Sequence, residues 1–233
     1  MKNPCIKGKA SIMKKLPLRC VIYDCDGVLF DSLESNRQLY NDFCLHFGRP
    51  PLTEEELKFV HTHTVFEALH AILGHDPHQE KAALDFWKRV DILPYLDLLK
   101  MEPYLLETLA FLKDRGIIRA ICTSRSTTMK AILEKFHLGP CFEMVVTALD
   151  VRNPKPHREA IDKIVEAFRL DRGKTILVGD SLNDQQTAQS AGILFAAYKN
   201  KGIAGDFLID DHRRMMELLS SPSSSGPLSV KGA

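Results

Sequence analysis

The sequence predicts an α/β protein in which an open parallel sheet carries helices on both faces and a small all-helical segment is inserted after the first strand. Two observations predict this architecture. Short apolar runs alternate with amphipathic helical patterns along most of the chain, which is typical of parallel βαβ units. The interval between the first two apolar runs is much longer than an ordinary crossover and contains helical patterns only.

Five short apolar runs are predicted as buried strands, and a sixth, weaker run follows them near the end of the chain. The six predicted strands are 19–24, 117–122, 143–147, 175–179, 193–197 and 207–209. Helical patterns lie between them, at 104–115, 126–137, 157–169 and 183–191. The first of these patterns ends in Lys113, Arg115 and Gly116, a typical helix stop before a strand.

The long interval between the first two strands runs from about Leu29 to Met101 and is predicted to fold as a separate helical unit. In its first helical pattern Leu39, Phe43 and Phe47 are spaced at i, i+4 and i+8, which places them on one helix face. An insert of this length can form a small cap with its own apolar core. Its helical patterns lie at 33–47, 53–59, 64–73 and about 78–99.

The position of the insert sets the predicted domain organisation. We expect hinges near Asp31 and near Glu102–Pro103, where the chain leaves and re-enters the core. We also expect flexible termini, because the final stretch SSPSSSGPLSVKGA is rich in Ser, Pro and Gly. The predicted boundaries are 17–31 and 102–215 for the α/β core, 32–101 for the helical cap, and 1–16 and 220–233 for the termini.

Composition and charge argue against several classes of function. The 233 residues carry 31 Lys and Arg against 30 Asp and Glu, so the net charge of +1 gives no basis for binding nucleic acid or an anionic membrane. No apolar stretch approaches the roughly 18 residues that span a bilayer. The six cysteines form no CxxC pair, which argues against a disulfide framework and favours the reducing cytoplasm. Whether the protein is a monomer or a homodimer stays open.

Polar residues follow four of the predicted strands. Because ligands bind beyond the carboxyl ends of the strands in open parallel sheets, we expect these residues to share one rim. Acids follow the first and fourth strands, hydroxyl groups follow the second, and a lysine follows the third after a short loop. The residues are Asp24, Asp26, Thr123, Ser124, Lys155, Asp180 and Asp184.

This set of side chains suits the chemistry of a phosphoryl group. Four converging carboxylates would repel one another unless a hard cation bound them, and Mg²⁺ prefers oxygen ligands of this kind. One carboxylate can attack phosphorus, and a second, two residues along an extended chain, can transfer the leaving-group proton. The Thr123 hydroxyl and the Lys155 ammonium can bind phosphoryl oxygens, while Gly27 allows a sharp backbone turn beside the anion.

Each residue of this set also has a simpler structural explanation when it is taken alone. Asp24 and Asp26 could form a turn after a strand, and Thr123 could cap the next helix. Lys155 could be a solvated loop residue, and the later pair of acids could lie at a helix N-terminus. The occurrence of all of them at successive strand ends favours a catalytic role.

Four motifs, taken in order, resemble those of the haloacid dehalogenase (HAD) superfamily. They are DCDGV, the strand-terminal Thr123, the Lys155–Pro156 pair and GDSLND. The resemblance extends over about residues 20–210. A helical insert directly after the first motif is similar to the subgroup of phosphoglycolate phosphatase and β-phosphoglucomutase. The resemblance implies the Rossmann-like sheet of the superfamily and a Mg²⁺ cofactor.

The resemblance also implies a role for each matching residue. Asp24 would be the nucleophile and Asp26 the general acid and base. Mg²⁺ would be held by the Asp24 side chain, the Asp26 backbone carbonyl and Asp180, and Asp184 would lie close by or bond through water. The phosphoryl group would be held by Thr123, the Ser124 amide and Lys155.

The predicted function is that of a Mg²⁺-dependent phosphatase that hydrolyses a small phosphorylated metabolite through an aspartyl-phosphate. Haloacid dehalogenases and phosphonate hydrolases of the superfamily lack an acid at the position of Asp26, so its presence favours an alkoxide leaving group. A sugar-phosphate mutase similar to β-phosphoglucomutase is the alternative. A phospho-accepting signalling module is more distant, because Lys155 precedes the second acid pair and such modules carry no helical insert.

The cap segment FVHTHTVFEAL, residues 59–69, falls where related caps carry their substrate-specificity loop. Its polar residues could therefore contact the non-phosphate part of a substrate. The alternative is that they are surface residues at the start of a helix, with the last of them as its N-cap. The residues are His61, Thr62, His63 and Thr64.

Two residues outside the motifs have less specific interpretations. Trp87 is expected to pack in the cap core with Phe86, Leu84 and Leu93 rather than to stack on a base. Arg125 follows the second motif directly and could be either a surface residue or a contact at the rim of the site.

Overall fold

The computed structural model of the protein describes residues 17–74 and 77–220 and confirms the predicted fold class. The strands of the main sheet are β1 Cys20–Tyr23, β4 Ile118–Cys122, β5 Met144–Val146, β6 Thr175–Gly179, β7 Leu194–Tyr198 and β8 Phe207–Ile209. They form one sheet in the order β5-β4-β1-β6-β7-β8, and every neighbouring pair is parallel. The predicted termini, 1–16 and 220–233, lie outside the described residues apart from Ser220.

The central strand β1 lies between β4 and β6 and is buried on both faces, because helices cover each side of the sheet. Tyr23 pairs in register with Ile121 of β4 and with Val178 of β6. All four β1 side chains are buried, which explains why the sequence shows a continuous apolar run rather than an alternating pattern. The Asp24 amide continues the ladder by donating to Val178 O at 2.9 Å, so β1 delivers Asp24 to the carboxyl edge of the sheet.

Helices cover both faces of the sheet and bury a separate apolar cluster on each. In the described chain these helices are α6 Leu105–Asp114, α7 Thr128–Lys135, α8 Glu159–Ala167, α9 Leu182–Ala191 and α10 Arg213–Leu219. Residues of α6, α7 and α10 pack with Val21 and Tyr23 on one face, and those of α8 and α9 pack with Cys20 and Ile22 on the other. The described helices are all too short or too polar to cross a bilayer.

The inserted segment is helical, as predicted, but one of its predicted helices is wrong. Its helices are α1 Leu33–His46, α2 Glu54–Thr62, α3 Val65–Leu73, α4 Pro77–Trp87 and α5 Leu93–Leu96. The single helix predicted over 78–99 is divided between α4 and α5. Pro94 explains the division, because proline has no N–H and its ring clashes with the preceding turn, so it is accommodated only in the first turn of α5.

The inserted helices bury an apolar cluster of their own, separate from the two clusters of the sheet. Phe43 has no exposed surface, and its ring centre lies 4.7 Å from that of Phe47 and 5.7 Å from that of Phe86. Trp87 packs against the same cluster, with its ring 5.2 Å from that of Tyr40. We propose from this separation that the insert is a cap unit, and it is called the cap below.

Two short strands join the cap to the sheet. β2 (Phe30–Asp31) pairs antiparallel with β3 (Lys100–Met101). Directly beyond this ribbon the Glu102 amide donates to Leu29 O at 3.0 Å. Both predicted hinge positions therefore lie where the outgoing and returning chains are held side by side.

Phe43→Ala is expected to lower the free energy of unfolding by about 3–5 kcal/mol, because it removes a fully buried ring and leaves a cavity in the cap. Urea denaturation followed by tryptophan fluorescence measures this loss. Trp87 is the single tryptophan of the chain, and its ring lies 6.3 Å from that of Phe43.

Leu45→Ala in the same helix is the control for this prediction. Leu45 is 76% exposed, so its truncation should change the stability by less than about 0.5 kcal/mol. Equal losses of stability in the two variants would contradict the cap core described above.

Candidate active site

The strand-end residues predicted from the sequence meet at the carboxyl edge of the sheet. Asp24 follows β1, Thr123 follows β4, and Asp180 follows β6. Because β1 pairs with both β4 and β6, the three strand ends are neighbours. This is the position at which open α/β sheets bind ligands.

Three carboxylates crowd together at this edge. One oxygen from each of Asp24, Asp180 and Asp184 lies within 4.8 Å of the other two. At that separation each ionised pair repels by at least roughly 3 kcal/mol at an effective dielectric constant of about 20. Burial, together with the neighbouring negative charges, raises the pKa of Asp24 to about 7 and the pKa of Asp180 to about 8. The carboxylate cluster is therefore short of positive charge.

Lys155 is the one ammonium group that contacts this cluster in the described part of the chain. Its Nζ lies 3.0 Å from Asp24 Oδ1 and 2.6 Å from Asp184 Oδ1. Burial opposes its charge, but the Asp184 and Asp24 carboxylates outweigh that effect and hold the pKa of Lys155 well above its ordinary value. One ammonium opposite three carboxylates leaves two negative charges uncompensated.

The first turn of α9 fixes Asp184 in this arrangement. Ser181 Oγ accepts a hydrogen bond from the Asp184 amide at 3.2 Å, and Asp184 Oδ2 accepts from Ser181 Oγ at 2.5 Å and from the Ser181 amide at 3.1 Å. This capping box leaves Asp184 Oδ1 for Lys155. A Cβ at Gly179 would lie 2.3 Å from Asp184 Cβ, so the motif GDSLND needs its glycine for packing.

The cluster fits a hard divalent cation. Carboxylate oxygens are preferred ligands of Mg²⁺, and a cation among them would favour the ionised forms of Asp24 and Asp180. Gly27 has a φ of +69°, and a Cβ there would lie 2.0 Å from Asp180 Oδ2, so glycine lets Asp180 approach the first motif. The side chains that would hold the metal are Asp24, Asp180 and Asp184. The backbone carbonyl of Asp26 stays a predicted further ligand.

The carboxylate of Asp26 is turned to Arg125 rather than to the cluster. Arg125 Nε donates to Asp26 Oδ2 at 2.7 Å, Arg125 Nη2 donates to Oδ1 at 2.6 Å, and Ser32 Oγ also donates to Oδ1. Burial opposes ionisation, but the Arg125 guanidinium outweighs it and places the pKa of Asp26 below its usual value. The expectation of four converging carboxylates is thus corrected to a cluster of three and an ion-paired fourth.

The hydroxyl residues of the second motif lie beside Arg125. Thr123 is buried, and its Oγ1 accepts from the Arg125 amide at 3.1 Å. The Thr123 amide donates to Val146 O at 3.0 Å, which continues the β4–β5 ladder to this point. Ser124 follows and lines the cavity between sheet and cap. Their predicted role as ligands of a phosphoryl group requires both residues to lie at this edge of the sheet, which is where they are found.

A narrow cavity of about 50 Å³ separates the strand ends from the cap. The cap contacts the core directly beside it, since Asn183 Nδ2 donates to Thr62 O at 2.9 Å. Asn36 Nδ2 lies 2.9 Å from His61 Nδ1 and so connects two cap helices at the cavity. The polar cap residues that line it are Asn36, Tyr40, His61, Thr62 and His63.

The four predicted specificity residues are not equivalent. His61, Thr62 and His63 line the cavity, whereas Thr64 does not. The Thr64 hydroxyl accepts from the Glu67 amide at 3.3 Å and donates to Glu67 Oε2 at 2.7 Å, which makes it the N-cap of α3. For Thr64 the prediction of a substrate contact is corrected, because helix capping occupies its buried side chain.

Several residues at the cavity were not identified from the sequence. Asn36 and Tyr40 were not singled out, and Arg125 was left between a surface and a rim position. Arg125 pairs with an acid 99 residues earlier in the chain, so no local pattern indicates the contact. Trp87 packs in the cap core as expected and also lines the cavity.

Comparison with known proteins identifies the family. Residues 21–198 match the family model described as haloacid dehalogenase-like hydrolase. The chain belongs to this family. The matched range begins in β1, includes the whole cap and ends in β7, so the resemblance inferred from the four motifs is confirmed.

Relatives of this HAD-like hydrolase match over most of its length. Pyrophosphatase PpaX from Bacillus pumilus is 28% identical over 182 residues, which cover 77% of this chain and 82% of the relative. Phosphoglycolate phosphatase 1 from Pseudomonas aeruginosa is 28% identical over 194 residues, covering 78% of this chain and 70% of the relative. A HAD-superfamily hydrolase of subfamily IA, variant 1, from Geobacter sulfurreducens has a solved structure with a TM-score of 0.71 and 35% identity, covering 88% of this chain and 97% of that one.

Mg²⁺ is expected to raise the melting temperature of the metal-free HAD-like hydrolase more at about pH 8 than at about pH 5, because protons compete with a cation for the carboxylates. The two pH values follow from the raised pKa values, about 7 for Asp24 and about 8 for Asp180, because both acids are more ionised at about pH 8 than at about pH 5. An acid with a raised pKa in the folded state loses stabilisation as pH rises from its unfolded to its folded pKa. A bound cation reverses that loss. Thermal unfolding in EDTA and in Mg²⁺ measures the difference.

Asp180→Asn is expected to abolish most of the Mg²⁺-induced shift at the higher pH. Asp114→Asn, which removes an exposed acid at the end of α6, is the matched control and should keep the shift. A shift of equal size at both pH values, or a full shift in Asp180→Asn, would contradict a cation site at the carboxylate cluster.

Proposed function

We propose that this hydrolase is a Mg²⁺-dependent phosphatase that acts on a small phosphorylated metabolite through an aspartyl-phosphate. One observation carries the proposal. Asp24, buried at the end of the central strand, shares one ionic cluster with Lys155, Asp180 and Asp184, while Asp26 lines the cavity two residues later. A carboxylate beside the Lys155 ammonium, in a cluster that fits a cation, is suited to attack a phosphoryl group that these positive charges would bind.

In the first step a carboxylate oxygen of Asp24 attacks phosphorus. The new P–O bond forms while the ester P–O bond on the opposite side breaks, and the departing oxygen takes a proton from Asp26, which first has to leave the ion pair with Arg125 and take up that proton from solvent. The Lys155 ammonium, 3.0 Å from Asp24 Oδ1, offsets the negative charge on the transferring group. The products of this step are the aspartyl-phosphate and the free alcohol.

In the second step a water molecule attacks the phosphorus of the aspartyl-phosphate. Asp26, now deprotonated, accepts a proton from that water as the bond from phosphorus to the Asp24 oxygen breaks. Phosphate is released, Asp24 is again a carboxylate and Asp26 is again protonated. When bound, Mg²⁺ would neutralise negative charge on the phosphoryl oxygens and on the carboxylate cluster.

The phosphoryl group would be held by three donors that follow two strands, β4 and β5. The Thr123 hydroxyl, the Ser124 amide and the Lys155 ammonium provide them at the edge where Asp24 lies. Donors fixed before the reaction stabilise charge that develops in the transition state without reorganising. This arrangement supports phosphoryl transfer to Asp24 as the reaction.

The site supports a small substrate. The cavity of about 50 Å³ is covered by the cap, which limits the alcohol part to few atoms. The relatives named above are a pyrophosphatase and a phosphoglycolate phosphatase, both named for small phosphate compounds. The balanced charge of 31 basic and 30 acidic residues also supports a metabolite rather than a nucleic acid or a membrane as partner. Free thiols at Cys20, Cys25, Cys44, Cys122 and Cys141 support a reducing, cytoplasmic location.

Of the two cap histidines, His61 is the better candidate for a substrate contact. The ring of His63 stacks on Phe59 with centres 3.9 Å apart, and its Nδ1 lies 2.9 Å from Phe59 O, so the cap itself holds that ring. His61 contacts Asn36, which lies beside Arg125. His61→Ala is therefore the cap variant whose effect on substrate selectivity is most informative.

Asp24→Asn is expected to lower kcat by at least about 1,000-fold, because the neutral amide cannot act as the nucleophile. Phosphate release from a panel of small phosphate monoesters, measured with Mg²⁺, tests this. The panel also identifies the reaction, since release of phosphate from simple monoesters marks a phosphatase. A requirement for a sugar bisphosphate, with a long-lived phosphoenzyme, would mark a mutase instead.

Asp210→Asn is the matched control for the nucleophile. Asp210 also follows a strand directly, but β8 is the far edge of the sheet and the side chain is exposed. Its replacement should leave kcat within about twofold of wild type, because surface substitutions away from a site have small effects. Undiminished phosphate release by Asp24→Asn would refute the assignment of the nucleophile.

A further inference from the structure

Arg125 occupies a position that the two reaction steps do not explain. In the described part of the chain it is the one lysine or arginine that lines the cavity, and its side chain is only 9% exposed. Lys155, the other cation of the site, contacts the carboxylate cluster instead. A buried guanidinium stays charged at all physiological pH values, so it needs an anionic partner at every stage of the cycle.

In the structure that partner is Asp26. Arg125 donates two hydrogen bonds to the Asp26 carboxylate, from Nε to Oδ2 at 2.7 Å and from Nη2 to Oδ1 at 2.6 Å. The other contacts of the guanidinium are weaker: Nη1 lies 3.2 Å from Thr128 Oγ1, and Nη2 lies 3.4 Å from Asn36 Oδ1. The strong donors of Arg125 are therefore engaged by Asp26, and its neutral neighbours could not replace that carboxylate.

The same pair occupies both oxygens of Asp26. Oδ1 accepts from Arg125 and from Ser32, and Oδ2 accepts from Arg125. To give a proton to the leaving oxygen, Asp26 has to carry that proton on one of these oxygens and turn it towards the leaving oxygen, and a neutral carboxyl no longer balances the guanidinium charge. The ion pair therefore has to open during the cycle, and the guanidinium then needs a different anion, because an uncompensated buried charge is strongly unfavourable.

We propose that Arg125 determines substrate specificity by binding a second anionic group, a carboxylate or a second phosphate, on the leaving alcohol of the substrate. The inference rests on the proposed phosphatase function. When such a substrate binds, the guanidinium passes from Asp26 to the anionic group of the substrate, and Asp26 turns to the leaving oxygen. A substrate with a neutral alcohol leaves the pair between Arg125 and Asp26 closed.

The geometry also limits where the second anion lies in the substrate. Arg125 is within 2.7 Å of the carboxylate that serves the leaving oxygen, so the anionic group must be only a few bonds from the scissile ester. The cavity of about 50 Å³ favours a short spacer between the two groups. The substrate class is thus a phosphate ester or anhydride with a carboxylate or phosphate next to the scissile bond.

The test compares two esters of matched size, 2-phosphoglycolate and 2-hydroxyethyl phosphate, which differ in a carboxylate against a hydroxymethyl group. Wild-type full-length protein with Mg²⁺ is expected to prefer the acid by about 10- to 100-fold in kcat/KM, as for hydrogen bonds to a charged group. Arg125→Gln is expected to bring the ratio of the two kcat/KM values to about 1, with Arg125→Lys between the two. Inorganic pyrophosphate, assayed alongside, shows whether the site prefers a phosphate to a carboxylate.

Arg158→Gln is the matched control, because Arg158 also pairs with an acid but on the surface of α8, and this variant should keep the wild-type ratio. A wild-type ratio near 1 would overturn the inference while the proposed phosphatase function stands, and that comparison requires no variant to fold. An unchanged ratio in Arg125→Gln would also overturn it. If His61→Ala lost the preference for the acid while Arg125→Gln kept it, the anionic group would be assigned to His61, and the inference for Arg125 would be overturned. Absence of phosphate release from every ester would refute the proposed function itself.

Discussion

The active site depends on the crowding of three like-charged carboxylates at one edge of the sheet. The fully buried strand β1 leads directly into Asp24, and the end of β6 with the capped first turn of α9 brings Asp180 and Asp184 to within 4.8 Å of it. Lys155 compensates one of the three charges. The remaining negative charge fits a divalent cation, and in the proposed mechanism that cation and Lys155 would together offset the charge of a phosphoryl group beside Asp24.

A second pair of charges organises the side on which the alcohol leaves. Asp26 and Arg125 form a buried bidentate ion pair, and the cap approaches the site through Asn36 beside that pair. Asp24 and Asp26, the proposed nucleophile and acid–base residue, therefore contact different cations, although they are only two residues apart in the chain. In the proposed mechanism the core would bind the phosphoryl group, while Arg125 and the cap would discriminate between alcohols.

Features set by local pattern were predictable from the sequence. The apolar run of β1 and the pattern Thr64-x-x-Glu67 specify a buried strand and a helix cap from neighbouring residues alone, and Pro94 could have indicated the break between α4 and α5. The direction of the Asp26 side chain was not predictable. Alternation along an extended chain aligns residues two apart, but β1 ends at Tyr23, and the partner of Asp26 lies 99 residues away. The strands β2 and β3, of two residues each, are too short to show periodicity.

The proposed mechanism depends most directly on phosphorylation of Asp24 during turnover. Acid quenching of the full-length protein during hydrolysis of a monoester, followed by borohydride reduction and peptide mass spectrometry, locates an acyl phosphate by the primary alcohol that reduction leaves. The proposed mechanism predicts this alcohol at position 24 and not at Asp26, Asp180 or Asp184. A reduced side chain at another of these carboxylates, or steady phosphate release with no reduced carboxylate at any time point, would contradict it.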